Sequence, residues 1–224
     1  MGIEIIGDGG IIAEVGEKVR RPIHMAPFPL NGNTYRLAQH TGTIGAALAA
    51  DSEIFQFRFV SGTKTWCIVR KVMFDGLGIV AVATAAGPLG FKLIPARGWT
   101  VAGSGGTRIA NTADNMQMET ALPNSQVNDI GIATTGALTA GTKTKDANAI
   151  GQALGGVGTA AVTGYGATSI VAPQGMLSST DSGMPLVLAN NEGFVIQTTH
   201  AGPAGLTYVA GFTVEWTEVT NYTT

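Results

Sequence analysis

The residues best suited to chemistry in this sequence are a histidine, an aspartate and a serine, which occur in the order used by one class of hydrolase. Ser182 lies in TDSGMPLVLANNEG, where it follows Asp181. A serine hydrolase needs a base within hydrogen-bond reach of the hydroxyl, an acid that orients the base, and donors for an oxyanion. His40 and Asp129 precede Ser182 in the chain and are the candidates for the base and the acid.

The residues around these positions depart from the pattern of trypsin-like serine proteases. Thr180 stands where a glycine is expected before the aspartate, and Met184 stands where a second glycine is expected after the serine. His40 lies in LAQHTG, without the small-residue turn and neighbouring cysteine common beside such a histidine. We therefore interpret the segment as a strand that begins at Pro185, where a missing backbone donor does least harm. Turn-forming residues 190–193 then predict a hairpin between PLVLA and FVIQTT, with no catalytic residue.

Other kinds of site are not predicted either. A zinc site needs ligands at close spacing, whereas the three histidines are scattered; they are His24, His40 and His200. The Gly-rich segments 7–10 and 103–106 lack the lysine and the following helix of a phosphate-binding loop, and we interpret both as turns. Three tryptophans could form a sugar-binding platform, although a tryptophan in a strand usually packs in the core; they are Trp66, Trp99 and Trp216. We expect no enzymatic activity, no metal and no cofactor.

The low charge of the chain is its most unusual compositional feature. Charged residues make up 12% of the 224 residues, about half of the ~25% found in ordinary soluble domains. So few charges solvate a lone monomer poorly and favour packing against copies of the chain or against a partner. The net charge is −2, and the densest basic group is Lys18, Arg20 and Arg21. We expect no nucleic-acid partner, because binding to phosphates needs a clustered basic surface.

The cysteine content and the hydropathy of the chain indicate in which cellular compartment the protein assembles. The single cysteine, Cys67, cannot form an intrachain disulfide, which favours assembly in a reducing cytosol. No apolar run reaches the roughly 18 residues of a membrane span, and MGIEIIGDGG lacks the basic start and long apolar run of a signal peptide. We expect no membrane partner and no secretion by that route.

Alternating apolar residues predict strands from Thr34 onward. The phenylalanines of IFQFRFV share one face, and every second residue of LTYVAGFTVEW is apolar, as expected for strands with one buried face. Asp75 to Gly78 predict a hairpin turn. Only Asp146 to Gly155 has helix-like features, for which we expect one helical turn. The predicted core residues are Phe55, Phe57, Phe59, Phe212, Val214 and Trp216.

These patterns predict an all-β fold, a jelly-roll-like antiparallel sandwich over residues 31–224. Eight to ten strands separated by Gly- and Pro-containing turns favour a sandwich or a barrel. Strict alternation favours antiparallel pairing with one solvated face.

Residues 1–30 are predicted to form an N-terminal arm. A small hairpin or extended strand would precede a Pro-rich connector that contains Pro22, Pro27 and Pro29, which favour extended chain. The alternative is that these residues supply the first strands of the main domain. As an arm, the segment offers apolar side chains for strand addition to a neighbour. They are Ile3, Ile5, Ile6, Ile11, Ile12 and Val15.

Five segments that occur in order over most of the chain carry a family resemblance. They are GIEIIGDGGIIAEV at the start, FKLIPARGWTVAGSGGTRI (91–109), DIGIATTGALTAGTKTKDANAIG (129–151), PLVLANNEGFVI (185–196) and FTVEWTEV (212–219). Together they resemble tailed-bacteriophage virion structural proteins of the capsid decoration (cement) and head-fibre-base type. The Pro-rich connector, residues 22–29, departs from that resemblance.

The resemblance implies a fold, partners and a location. Proteins of this kind are small and β-rich, often trimeric jelly rolls, and they have no catalytic residues to transfer. It implies a homotrimer made in the host bacterial cytoplasm that binds the major capsid protein on the outer capsid surface of the virion and stabilises the shell. The alternative is a tail or fibre component that binds a host surface glycan.

Overall fold

A computed structural model describes residues 4–6, 12–14, 33–46, 48–60, 62–110, 116–118, 123–127, 129–159, 173–179 and 184–220. The chain divides into two compact units, Met1–Leu30 and Asn31–Thr224. Within the described ranges, no helix is long and apolar enough to cross a membrane.

The first unit contains a small two-stranded antiparallel sheet. Strands β1 (Glu4–Ile6) and β2 (Ile12–Glu14) pair with Ile5 opposite Ala13. Three of the six apolar arm residues, Ile5, Ile6 and Ile12, belong to these strands. The other three and the three prolines of the connector lie outside the described residues; they are Ile3, Ile11, Val15, Pro22, Pro27 and Pro29.

The second unit is built from the remaining twelve described strands. They are β3 (Asn33–His40), β4 (Glu53–Phe59), β5 (Trp66–Ala81), β6 (Gly87–Val101), β7 (Thr107–Ile109), β8 (Asp129–Ile132), β9 (Thr142–Lys145), β10 (Gly151–Val157), β11 (Gln174–Ser178), β12 (Leu186–Leu188), β13 (Glu192–Thr198) and β14 (Thr207–Val219).

The strands of the second unit form two antiparallel sheets. Sheet 1 has the order β10-β6-β13-β4-β8-β7, with β9 also paired to β6; sheet 2 has the order β11-β5-β14-β3, with β12 also paired to β5. The chain passes from sheet 2 to sheet 1 and back several times, so that most sheet neighbours are distant in sequence, as in Greek-key and jelly-roll sandwiches. The predicted all-β, antiparallel, jelly-roll-like sandwich is confirmed.

Aromatic side chains from both sheets meet in the core. Phe57 of sheet 1 contacts Trp216 of sheet 2 edge-on, with ring centroids 5.1 Å apart. Phe55 contacts Phe212 across the same interface at 5.9 Å. The six residues expected in the core are all fully buried; they are Phe55, Phe57, Phe59, Phe212, Val214 and Trp216. Burial of these side chains joins the two sheets.

The hairpin turn predicted at Asp75 to Gly78 is wrong, because β5 runs straight through it. Three residues of β5, Arg70, Asp75 and Val80, have no partner in the register with β14, so each is the extra residue of a β-bulge. Each bulge shifts the alternation of β5 by one residue, and the buried residues of β5 therefore fail to alternate in sequence. Strand β14 carries none of the extra residues, and its predicted apolar face is buried from Tyr208 to Trp216, although Thr213 and Thr217 of the opposite face are buried as well.

Two other local predictions are wrong. Residues 151–155, expected in a helical turn, belong to strand β10, which pairs with β6 over its whole length. Strands β12 and β13 do exist, and Asn191 adopts the left-handed conformation between them (φ 61°). They do not form a hairpin, however, because β12 pairs with β5 in sheet 2 and β13 pairs with β4 and β6 in sheet 1.

The outer face of sheet 1 is solvated only in part, whereas alternation led us to expect a solvated face; residues of β10 are exposed there, but those of β4 are not. Gln56 of β4 lies on the face opposite the phenylalanines and yet is fully buried. The segment around Thr139 and β9 covers this face, and Thr139 accepts a hydrogen bond from the Gln56 side chain at 2.7 Å. Polar side chains are consequently enclosed on the outer side of the sheet.

Candidate functional site

A β-bulge in β4 brings two polar side chains of that strand together. The register with β13 passes from Phe55 opposite Ile196 to Glu53 opposite Gln197, so Ile54 is the extra residue. Without the bulge, Glu53 and Gln56 would point to opposite faces of the sheet. With it, Gln56 Nε2 donates a hydrogen bond to Glu53 Oε2 at 2.6 Å.

Glu53 is almost completely buried and is neutralised by two lysines of β9. Lys143 Nζ lies 2.8 Å from Oε2, and Lys145 Nζ lies 3.3 Å from Oε1. The Lys143 side chain is 1% exposed, whereas that of Lys145 is 35% exposed. Burial lowers the pKa of Lys143 from its usual value, against the opposing effect of Glu53. The Lys143 ammonium also lies 4.2 Å from the ring centroid of Trp99, a favourable cation–π position.

The Gln56 amide is fixed at all of its polar atoms. Its Nε2 donates to Glu53 and to the carbonyl of Thr139, and its Oε1 accepts from Arg108 Nη2 at 3.2 Å. Gly103 lies so close that a Cβ there would stand 2.5 Å from Gln56 Oε1. The Arg108 guanidinium crosses Gly131, where a Cβ would stand 2.3 Å from Nη1. We call Glu53, Gln56, Arg108 and Lys143 the Glu53 cluster.

Asp129 extends this network toward the neighbouring strands. Its Oδ1 lies 3.2 Å from Arg108 Nη1, and its Oδ2 lies 3.3 Å from Arg58 Nη1. Arg58 also donates to Asn191 Oδ1 at 2.8 Å. Both carboxylate oxygens of Asp129 are therefore held by guanidinium groups.

A second buried carboxylate, Glu218 of β14, lies in sheet 2. Its Oε1 accepts from Ser125 Oγ at 2.5 Å and from Trp216 Nε1 at 3.1 Å. The Gln126 backbone amide lies 3.0 Å from both carboxylate oxygens. Burial, with a contribution from the Glu218 charge, raises the pKa of the Cys67 thiol well above its usual value. Cys67 is thus a structural thiol rather than a reactive one.

The residues considered for hydrolysis are not arranged as a triad in the described part of the chain. His40 is exposed at the end of β3 in sheet 2, and its Nδ1 lies 2.9 Å from the carbonyl oxygen of Thr41. Asp129 in sheet 1 faces Arg58 and Arg108 instead of a histidine. Ser182 lies outside the described residues.

The other candidate sites are not assembled either. His200 is exposed and its Nδ1 lies 2.7 Å from Thr199 Oγ1, while His24 lies outside the described residues. The described residues contain no group of three or more histidine, cysteine or acidic side chains that could hold a metal ion. Trp99 and Trp216 are fully buried, so the three tryptophans do not form a sugar-binding platform.

The Glu53 cluster was not predicted from the sequence. Glu53 and Gln56 are three residues apart, a spacing that places two strand residues on opposite faces unless a bulge intervenes. Lys143 and Arg108 come from short strands far away in the chain. The alternating lysines of TKTK are the one local signal, since they mark a strand face that needs a carboxylate partner.

Comparison with known proteins provides no relative from which a role could be transferred. No protein-family model, no curated protein and no solved structure matches this chain.

Proposed function

We propose that this chain is a non-enzymatic structural protein of a tailed-bacteriophage virion, most simply a capsid decoration or cement protein that binds the outer shell and stabilises it. The proposal combines the family resemblance of the sequence with the antiparallel sandwich. Its partners would be further copies of the chain, in a homotrimer, and the major capsid protein.

The observation that carries this proposal is how the sandwich uses its carboxylates. All eight carboxylates of its described residues take part in an ion pair or hydrogen bond within the domain. They are Asp51, Glu53, Asp75, Asp129, Asp146, Glu192, Glu215 and Glu218. Pairing within the domain leaves few unpaired carboxylates on the outer surface, which suits permanent packing against other proteins better than it suits catalysis or nucleic-acid binding.

One edge strand of each sheet, β10 and β3, is hydrogen-bonded by other segments of the sandwich. Such contacts disfavour unregulated strand pairing with other chains at these edges. The side chain of Gln174 pairs with both backbone groups of Leu154 on β10, at 3.1 and 2.9 Å. On β3, Arg36 N donates to Met116 O at 2.7 Å and Met118 N donates to Thr34 O at 3.1 Å.

The N-terminal unit is then the candidate attachment element. Its apolar strands could add to a sheet edge of the capsid protein or of an adjacent subunit, where main-chain hydrogen bonds supply affinity and alternate side chains fill pockets. At about 25 cal/mol per Å² of buried apolar area, half-buried isoleucines would contribute several kcal/mol before the cost of ordering is subtracted. Because many copies would bind around a symmetric capsid, these individually weak contacts would act together as multivalent attachment.

The experiment is to locate the protein in virions of the phage that encodes it. Density-gradient fractions of intact particles, DNA-filled heads and detached tails are probed with an antibody to the chain. We expect the protein in heads, and in solution a trimer that persists at high salt, because salt screens charges and barely affects apolar contacts. Recovery in tails with binding to host glycans would instead support the fibre alternative. Recovery in neither fraction would overturn the virion proposal.

A further inference from the structure

Three groups with complementary reactivity meet in the Glu53 cluster. Lys143 Nζ lies 2.8 Å from Glu53 Oε2, and Gln56 Nε2 lies 2.6 Å from the same oxygen. One carboxylate oxygen therefore bridges an amine and the nitrogen of a primary amide. All three side chains are nearly or fully buried, so water does not compete for them.

We propose that Lys143 and Gln56 react with each other in the folded protein to form an isopeptide bond, with Glu53 as the proton carrier and Arg108 as the group that stabilises the oxyanion. This inference does not depend on the virion role, because every participating residue lies inside one sandwich.

The environment of Lys143 favours a nucleophilic amine. A buried lysine loses its proton more readily than an exposed one, and desolvated lysines act as nucleophiles in this way. The pKa of Lys143 is lowered, with burial as its largest cause, and Glu53 is in place to receive the proton. Lys145 also contacts Glu53, but it does so at the other oxygen and is 35% exposed. Lys143 is therefore the lysine suited to attack.

The environment of Gln56 favours an electrophilic carbonyl. The Arg108 guanidinium donates to Oε1 at 3.2 Å, where negative charge develops when an amine adds to the carbonyl carbon. Both hydrogens of Nε2 are directed to acceptors, Glu53 Oε2 and the Thr139 carbonyl. The amide is thus held in one orientation, with its nitrogen facing the acid that would protonate it on departure.

The reaction balances without a further reactant. The Lys143 ammonium passes one proton to Glu53, and the neutral amine adds to Cδ of Gln56 to give a tetrahedral oxyanion beside Arg108. Glu53 delivers its proton to Nε2 and takes up a second proton from the former amine. The C–N bond to Nε2 breaks and the nitrogen leaves as ammonia, which then takes the second proton from Glu53 and becomes ammonium. The products are a Lys143–Gln56 amide and one ammonium ion, and Glu53 ends as the carboxylate.

The test is the intact mass of the full-length protein, measured after denaturation. We expect the main species to be lighter than the sequence predicts by the mass of one ammonia molecule, and a proteolytic digest to contain a branched peptide that joins residues 56 and 143. In denaturing gels the cross-linked chain should migrate faster, because an internal loop stays closed.

Two variants test the roles of Lys143 and Glu53 in the reaction, and a third variant is the control. Lys143→Arg keeps a cation beside Glu53 and removes the nucleophile, and Glu53→Gln keeps the shape and removes the proton carrier; both should retain the full mass. Lys92→Arg replaces a lysine that pairs with Asp51 elsewhere, and it should lose ammonia as the unmodified protein does. The proposal is overturned if the unmodified folded protein, fresh or after prolonged incubation, has its full sequence mass and yields no branched peptide.

Discussion

The Asp75 carboxylate accepts a hydrogen bond of 2.7 Å from the Thr213 hydroxyl between β5 and β14. Asp75 is the extra residue of a bulge, because Phe74 pairs with Phe212 while Gly76 pairs with Gly211. The bulge lets the buried residues before and after it face the same core. Gly76 has φ 144°, a value that side chains other than glycine rarely adopt.

Replacing Gly76 by alanine should destabilise the protein by about 1–3 kcal/mol, because the backbone of the bulge is strained for any residue with a Cβ. The matched control is Gly78→Ala, two residues along the same strand, where a Cβ would stand no closer than 3.9 Å to Val209 O. We expect the control to change stability by less than about 0.5 kcal/mol. Urea unfolding of both variants measures the difference, and equal losses would contradict this account of the bulge.

The sequence predicted those strands whose alternation is uninterrupted. The β14 sequence places an apolar residue at every second position from Leu206 to Trp216 and was assigned correctly as a strand, whereas Asp75-Gly76 has the residues of a turn as much as those of a bulge. The choice between them depends on whether a long partner strand exists, which local sequence does not reveal.

The buried polar sites were harder to predict from the sequence than the strands. The two lysines that pair with Glu53 come from β9, which approaches β4 only after the sandwich has formed, and Gln56 of β4 reaches Glu53 only because of the bulge at Ile54. The prediction of a hairpin at residues 185–199 failed for a related reason, since a short turn can join strands of opposite sheets as well as strands of one sheet.

Replacing Phe57 by alanine should cost about 3–5 kcal/mol of unfolding free energy, as truncation of a buried aromatic side chain does. The Phe57 ring stacks on Phe194 at 4.8 Å and meets Trp216 at 5.1 Å, so its loss leaves a cavity between the sheets. Val101→Ala, at a side chain that is 55% exposed, should cost less than about 0.5 kcal/mol. Chemical denaturation measures both values, and a loss below about 1 kcal/mol for Phe57→Ala would contradict the assigned core.

Removal of the hydroxyl should destabilise the protein at one buried tyrosine and not at another. Tyr35 OH donates to the Pro123 carbonyl at 2.8 Å, and Tyr35→Phe should cost about 1 kcal/mol. Tyr208 OH is buried without a partner among the described residues, so Tyr208→Phe should be neutral or stabilising by up to about 1 kcal/mol. Thermal unfolding of the two variants tests the difference. A larger loss for Tyr208→Phe than for Tyr35→Phe would be inconsistent with this packing.

The stability of the protein should fall in alkaline solution as the unfolded chain releases tyrosine protons. Burial, assisted by the Glu218 charge, raises the pKa of Tyr35 from 10.0 to about 12. The protonated phenol is favoured in the folded state, so its contribution to stability is complete below pH 10 and is lost as the pH rises toward 12. Unfolding free energies measured across this interval should decline less steeply for Tyr35→Phe. Identical slopes for the two proteins would show that Tyr35 has an ordinary pKa.

The proposed cementing role is tested most directly by the retention of the protein on purified capsids. Full-length protein and a variant that lacks residues 2–21 are each sedimented with capsids of the encoding phage, over a range of protein concentrations. We expect the full-length protein to be retained and the deletion to weaken retention at least tenfold, which corresponds to about 1.4 kcal/mol or more of lost contact. Failure of the full-length protein to sediment with capsids, or equal retention of the two proteins, would contradict capsid attachment through the N-terminal unit.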